Sequence, residues 1–480
     1  MKFSRTIRLL LLLLGINLWA AAQDDSASPQ QPAPTPAPAF GQNAPILNPE
    51  NPPISGLDQP SLELRTATRS FFSPGLMVSE SADTNPSNQL GTSGFNNVKS
   101  VTHVLGALDL QRFWPKSDLL AEYLGGGAFY NSGPDPVRQM QALAAMGVTR
   151  WRTGQLTLRD SFSYLPEGSF SLGTYGGAPG LGLARGGLGT GIPGGGLPGT
   201  HFFGNGDFGA IGFQPRTGNT AIADAVETLT PRSAITVASG FALSHFQNGN
   251  ANLINSEQWT FEGGFSHLLG RRDQVALVYA FQDFLFPFTA GGDIHTNVAN
   301  LRYGHTISGR MSLLVGAGPQ YISIYEPGNP SQVDRRWSLS AQARLSYKFP
   351  RTTLSLAYEK YTSPGSGFFA GADTQVGRAS FMRPLGRTFE FYGDLGYSYH
   401  KRLQQLLFSG TAGQRYSDGF IGGILRKNMS RNFGVFAAYH FSELAFDRAF
   451  CTASSPCSRI SNVNIATIGV DWHPRPVRIE

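Results

Sequence analysis

In the stretch RWSLSAQARLSYKF, Trp337, Leu339, Ala341, Ala343, Leu345, Tyr347 and Phe349 fall on one parity. Ser338, Ser340, Gln342, Arg344, Ser346 and Lys348 fall on the other. Strict alternation predicts a β-strand with one apolar and one polar face. The pattern recurs. Phe389, Phe391, Leu395, Tyr397 and Tyr399 stand opposite Glu390, Asp394 and His400, and Leu354, Leu356 and Tyr358 stand opposite Ser355 and Glu359. Trp259, Phe261 and Phe265 stand opposite Thr260, Glu262 and Ser266. These strands run roughly 12–16 residues, against about 5–6 in soluble sheets and about 9–11 needed to cross a bilayer.

Short connectors separate the strands at every second junction: WPKS (114–117), RWR (150–152), TPRS (230–233), LGRRD (269–273), SGR (308–310), FPR (349–351), PLGR (384–387) and NMSR (428–431). Between them lie longer segments rich in Gly, Asn, Ser and Pro, the asymmetry expected of the two rims of a transmembrane β-barrel. Trp114, Trp151, Phe349, Phe389, Phe433 and Trp472 cluster at the short-turn side, as an interfacial girdle would. About seventeen strands fit between residues 99 and 473, and SFFSPGLMVSE (70–80) adds one, giving the even number expected of such barrels. The predicted fold is an all-β, antiparallel, up-and-down transmembrane barrel of about eighteen strands, with sixteen as the alternative if one hairpin does not span.

Composition agrees with this: 58 Gly, 34 Phe and 16 Tyr in 480 residues, with 15% charged, suit a large antiparallel structure with many turns. Lys2, Arg5 and Arg8, the apolar run Leu9–Leu14 and Ala20-Ala21-Ala22 predict a signal peptide over 1–22, cleaved before Gln23. Its removal lowers the formal charge from +6 to +3, so nucleic-acid binding is not expected. Residues 23–69 are expected to be a Pro-rich disordered periplasmic tether, and 474–480 a C-terminal tail. Cys451 and Cys457, in CTASSPC, are candidates for a loop-closing disulfide in an oxidising compartment.

Several strings resemble one family. YLGGGAFYNS (123–132), DSFSYLPE (160–167), GAGPQY (316–321), GSGFFAGADT (365–374) and DWHPRP (471–476) are similar to segments of outer-membrane β-barrel porins of Gram-negative bacteria. That family is largely uncharacterised, and some members are thought to accompany exopolysaccharide export. The resemblance covers most of residues 70–476 and implies an outer-membrane barrel without carrying over any catalytic or binding residue.

By parity, Glu262, Arg302, Arg344, Lys348, Glu359, Glu390, Asp394, His400 and His440 are expected to line the lumen. Mixed charges there tune passage or stiffen the wall by pairing with one another. No catalytic, cofactor-binding or metal site is predicted. Nine histidines are scattered, and the adjacent Ser244 and His245 point to opposite strand faces. Asp160 shares parity with Leu156, Leu158 and Phe162, which turns it toward lipid unless a bulge reverses the parity or it lies near a rim. The Gly-rich segment 165–216 is expected to be the third extracellular loop and, by analogy with general porins, to constrict or plug the pore; the alternatives are a floppy external loop or a contact surface for a partner. It contains GTGIPG (189–194), whose spacing matches a dinucleotide fingerprint. The flanking glycines and prolines make no strand–helix context, so the match is attributed to composition.

The expected function is passive, porin-like diffusion of small polar solutes across the outer membrane. Outer-membrane lipid and the barrel-assembly machinery are the implied partners. The alternative is an outer-membrane component of polysaccharide export, with partners from that pathway, or a structural or adhesion barrel.

Overall fold

The computed structural model describes residues 54–55, 70–84, 98–131, 137–165, 216–246, 253–287, 292–326, 329–349, 351–365, 367–404, 413–430, 432–450, 459–472 and 474–479. The strands are β1 (Phe71–Asp83), β2 (Lys99–Phe113), β3 (Ser117–Tyr130), β4 (Val137–Arg150), β5 (Gly154–Leu165) and β6 (Arg216–Thr230). Next come β7 (Ser233–Phe246), β8 (Ser256–Leu268), β9 (Asp273–Leu285), β10 (Ile294–Ser308), β11 (Met311–Glu326) and β12 (Asn329–Lys348). The chain continues through β13 (Thr353–Ser363), β14 (Ala372–Leu385), β15 (Phe389–Arg402), β16 (Arg415–Asn428), β17 (Phe433–Phe446) and β18 (Ile460–Trp472), and ends with the two-residue β19 (Val477–Arg478). Each strand pairs antiparallel with its sequence neighbour, and β1 pairs with both β2 and β18, closing a barrel of eighteen long strands. Among the described residues, no helix is long and apolar enough to cross a membrane.

Alternation sets the two faces as expected. Leu277 and Leu301 are more than 60% exposed on the outer wall, whereas Thr260, Gln282 and Thr296 on the opposite parity are fully buried. Trp114, Trp151, Phe349, Phe433 and Trp472 are exposed at the rim of short turns. Phe389 is only half-buried there and carries the Lys427 ammonium 5.2 Å over its ring. The short-turn rim also holds the start of β1 and the end of β18. One junction on the other rim is as short as a turn: only residues 327 and 328 join β11 to β12. These are the longest strands, 16 and 20 residues.

The weak alternation of SFFSPGLMVSE has a local cause. β1 pairs with β18 only from Leu76 onward and with β19 at Phe71 and Phe72. Pro74 therefore sits where the ladder on that side is interrupted, at a place that asks no N–H of it. The C-terminal segment accordingly contributes to the sheet: β19 pairs with the start of β1, and the Ile479 amide donates to Ser70 O at 3.2 Å.

The lumen as candidate functional site

Strands about 4.8 Å apart and tilted about 40° give an eighteen-strand ring a backbone diameter of roughly 35 Å. Side chains from such a wall do not reach the axis. The lumen therefore has room for both solute and protein segments, and its inward residues are the candidate site.

Midway along their strands, Glu262 on β8 and Arg302 on β10 point inward and form an ion pair at 3.3 Å with side chains 0% and 4% exposed. The Arg302 guanidinium also donates to the carbonyl of Ile54 at 3.0 Å, and Ser55 Oγ lies 2.5 Å from Thr236 Oγ1. Ile54 packs with Ala276, Val278 and Leu314. Two residues of the segment expected to be a periplasmic spacer are thus buried inside the barrel.

Arg344 and Glu359 take the inward parity on β12 and β13, half-buried, with Glu359 in register with Gln342. Glu390 lies at the very start of β15, exposed at the rim rather than within the lumen, and accepts from Asn428 at 3.4 Å. Lys348 and Asp394 lie on inward-parity backbone positions of β12 and β15, in register with Thr353 and Ser380. His400 is fully buried, within 3.0 Å of Thr374 Oγ1 and 2.9 Å of Ser398 Oγ, and stacked 4.3 Å from Tyr416. His440 is buried and stacks on Phe420 at 6.0 Å. Both histidines are therefore packed wall residues rather than free lumen charges. Cys451 and Cys457 lie outside the described residues.

Other inward charges were not singled out by sequence. Arg426 on β16 and Asp471 on β18 form a bond of 2.7 Å with side chains 4% and 0% exposed. The signal was present: Asp471 precedes outward-facing Trp472, so it must point inward. Arg159 and Asp224 are buried on the inward faces of β5 and β6.

From Glu262 and Arg302 toward the long-loop rim, the inner wall of β8–β12 is neutral and polar. Gln258 donates to Thr260 at 3.1 Å, and Asn300 to Ser340 Oγ at 3.3 Å, with Gln282 and Thr296 beside them in register. Amides and hydroxyls of this kind offer both donors and acceptors without net charge.

Toward the long-loop rim, the connection 364–371 between β13 and β14 folds inward. Three glycines with φ of +88°, +83° and +79° (Gly365, Gly367 and Gly371) give it a course that other L-residues adopt poorly. Phe368 and Phe369 pack on Tyr416, and Phe368 also on Phe446. The Ile254 amide donates to Gly367 O at 2.7 Å and the Leu403 amide to Gly371 O at 3.1 Å. Gln404 exchanges two hydrogen bonds with the Gly292 backbone. Four connections on this rim are thereby tied together over β9–β11 and β15–β16. The expected constriction, 165–216, lies outside the described residues apart from its flanking strand ends, as does GTGIPG.

Asp160 corrects one expectation. The β5–β6 register is unbroken from Gly154 to Leu165, so no bulge reverses its parity, and Asp160 stands mid-strand, five residues before Leu165 at the long-loop end of β5. The outward-facing carboxylate is instead partnered by Asn219 Nδ2 at 3.4 Å from each oxygen.

No protein-family model and no curated protein sequence matches this chain. Solved barrels are similar in outline: a BenF-like porin from Pseudomonas fluorescens Pf-5 at 10% identity and TM-score 0.41, covering 85% of this chain and 99% of that one. OccK2 (OpdF) of Pseudomonas aeruginosa, in complex with glucuronate, aligns at 9% identity and TM-score 0.42 over 86% and 98% of the two chains. OpdK of Pseudomonas aeruginosa with vanillate aligns at 9% and 0.40 over 84% and 98%.

Proposed function

We propose that this chain is an outer-membrane channel for passive movement of small polar solutes, with the short-turn rim facing the periplasm. The observation that carries the reading is the wall itself: apolar outside, polar inside, and closed at a diameter its own side chains do not fill. A lumen of this width also admits a saccharide chain, which keeps polysaccharide export as the second reading. Delivery requires export by the signal peptide, cleaved after Ala22, and insertion by the barrel-assembly machinery.

The test is planar-bilayer recording and liposome swelling with a disaccharide. Discrete conductance steps and sugar-driven swelling support the channel. Silence of the intact chain and of a folded chain lacking 173–212 overturns it. Block of the current by long glucans but not by disaccharide favours the export reading.

A further inference from the structure

We infer that the short-turn rim is a binding surface for anionic phospholipid, its turn cations holding the headgroup phosphates beside the aromatic girdle. That this is the periplasmic leaflet rests on the channel reading; the surface itself requires only that the barrel cross a bilayer.

The two rims differ in charge as sharply as in length. Each of the eight short turns carries at least one arginine or lysine, and none carries an acid. The nine connections at the other rim, far longer in total, hold three basic and five acidic residues. All but one of the turn cations are arginine, whose planar fork meets phosphate through two parallel hydrogen bonds. Lys116, Arg152, Arg232, Arg310, Arg351 and Arg387, one from each of six turns, are exposed. At the ninth position of this rim β18 meets β1 without a turn, and there Arg475 and Arg478 of the C-terminal segment are exposed. The basic ring is therefore continuous around the barrel.

The rim's acids do not neutralise it, because the strand ends engage them. Asp118 pairs with Arg150 of β4 at 2.7 Å, Glu227 accepts from Trp151 Nε1 at 2.7 Å, and Asp273 accepts from the Tyr303 hydroxyl at 2.5 Å.

Depth selects the ligand. Trp114 and Lys116 share a turn, as do Trp151 and Arg152, and Phe349 and Arg351, so the charge follows the girdle within two residues. Arg112 and Lys427 lie 5.0 and 5.2 Å over the rings of Trp114 and Phe389. Girdle rings sit at headgroup level, and basic residues beside them meet anionic headgroups there. The inward cations Arg302 and Arg426 are instead closed on Glu262 and Asp471. Attraction for anions thus lies at the rim rather than at these lumen sites.

The experiment is native mass spectrometry of the full chain released from nanodiscs holding phosphatidylglycerol and phosphatidylcholine in equal amounts. The parent should retain phosphatidylglycerol several-fold over phosphatidylcholine. A turn variant carrying Arg152→Gln, Arg232→Gln, Arg272→Gln, Arg310→Gln, Arg351→Gln and Arg387→Gln should bring that ratio near one. A control with the same charge change at the other rim (Arg335→Gln, Arg336→Gln, Lys360→Gln, Lys401→Gln, Arg415→Gln and Arg448→Gln) should keep the parent's ratio. Heat-modifiable electrophoresis verifies that both are folded. A parent ratio near one, a turn variant as selective as the parent, or equal loss in both variants overturns the surface. A parent ratio near one with capture of soluble polyglutamate, lost in the turn variant, overturns it in favour of an acidic macromolecule. Selective lipid retention by a protein that is silent in bilayers, with or without 173–212, supports the surface and overturns the channel reading. Conductance without selective retention does the reverse.

Discussion

Replacing Gly434 by alanine should destabilise the barrel, although removing glycine from a strand normally stabilises it. Gly434 is an inward residue of β17, in register with Asp471 on β18 and with Asn428 on β16, and the Arg426 side chain reaches diagonally over it to Asp471. Its missing side chain is what lets the pair close at 2.7 Å across an intervening strand. A Cβ there would stand 2.6 Å from Asp471 Oδ1 and 3.0 Å from Nε and Nη2 of Arg426. Side-chain ends normally step aside from such a contact, but both groups are almost wholly buried and hold each other, so the ion pair must open. Breaking a buried pair costs about 3–5 kcal/mol, and replacing a strand glycine returns about 0.5–1 kcal/mol. The net loss expected is roughly 2–4 kcal/mol.

Urea unfolding of protein folded into lipid vesicles, followed by heat-modifiable electrophoresis, measures this loss. The triple variant Gly434→Ala, Arg426→Leu, Asp471→Leu removes both charges and should recover most of it. Gly434→Ala as stable as the parent, or a triple variant no better than the single, would refute the reasoning.

Further outcomes follow from the same geometry. Leu301→Arg, at an outward mid-strand position of β10, should lose about 2–4 kcal/mol of vesicle-folded stability, whereas Leu301→Ala should lose much less. Gly371→Ala places a side chain at φ +79° and against Ile294 Cδ1, and should loosen the 364–371 cover by about 1–2 kcal/mol. Faster protease cleavage of that connection in proteoliposomes, with unchanged heat modifiability, is the expected readout. Thiol labelling of denatured protein should mark Cys451 and Cys457 only after reduction if they pair. Intact-mass measurement of protein recovered from membranes should place the mature N-terminus at Gln23.

Parity made the wall legible and left its contacts hidden. Glu262 and Arg302 were both assignable to the lumen, because each alternates with residues such as Phe261 and Leu301 that face outward. Their pairing was not, since it depends on the registers of β8 with β9 and β9 with β10 taken together. His400 and His440 illustrate the opposite limit. Parity placed them inward correctly, yet their stacking on Tyr416 and Phe420 turns free charges into wall packing, and rings on other strands are invisible to a single-strand pattern. Ile54–Ser55 had no periodic signal at all. A lone apolar residue among prolines and amides reads as spacer, and only residues of distant strands bury it.

Glycines inside the strands link these cases. The usual reading of a strand glycine is a bend or a weak point, but here several mark a place where something else fills the space of the missing Cβ. At Gly434 it is an ion pair bridging two strands, and at Gly264 it is Ser55. At Gly318 it is first the Ala299 carbonyl of β10, with Asn300 Oδ1 2.8 Å from the Cβ position where Asn300 reaches across β11 to Ser340. A wide barrel cannot stiffen its wall by packing a core, so inward side chains must find partners two strands away, and the strand between must be bare to let them pass. On that argument, an inward glycine flanked in register by complementary polar residues on both neighbouring strands points to a cross-strand bridge. An inward glycine with a polar neighbour on one side only, as at Gly264 between Thr236 and Val278, points to an occupant from elsewhere in the chain.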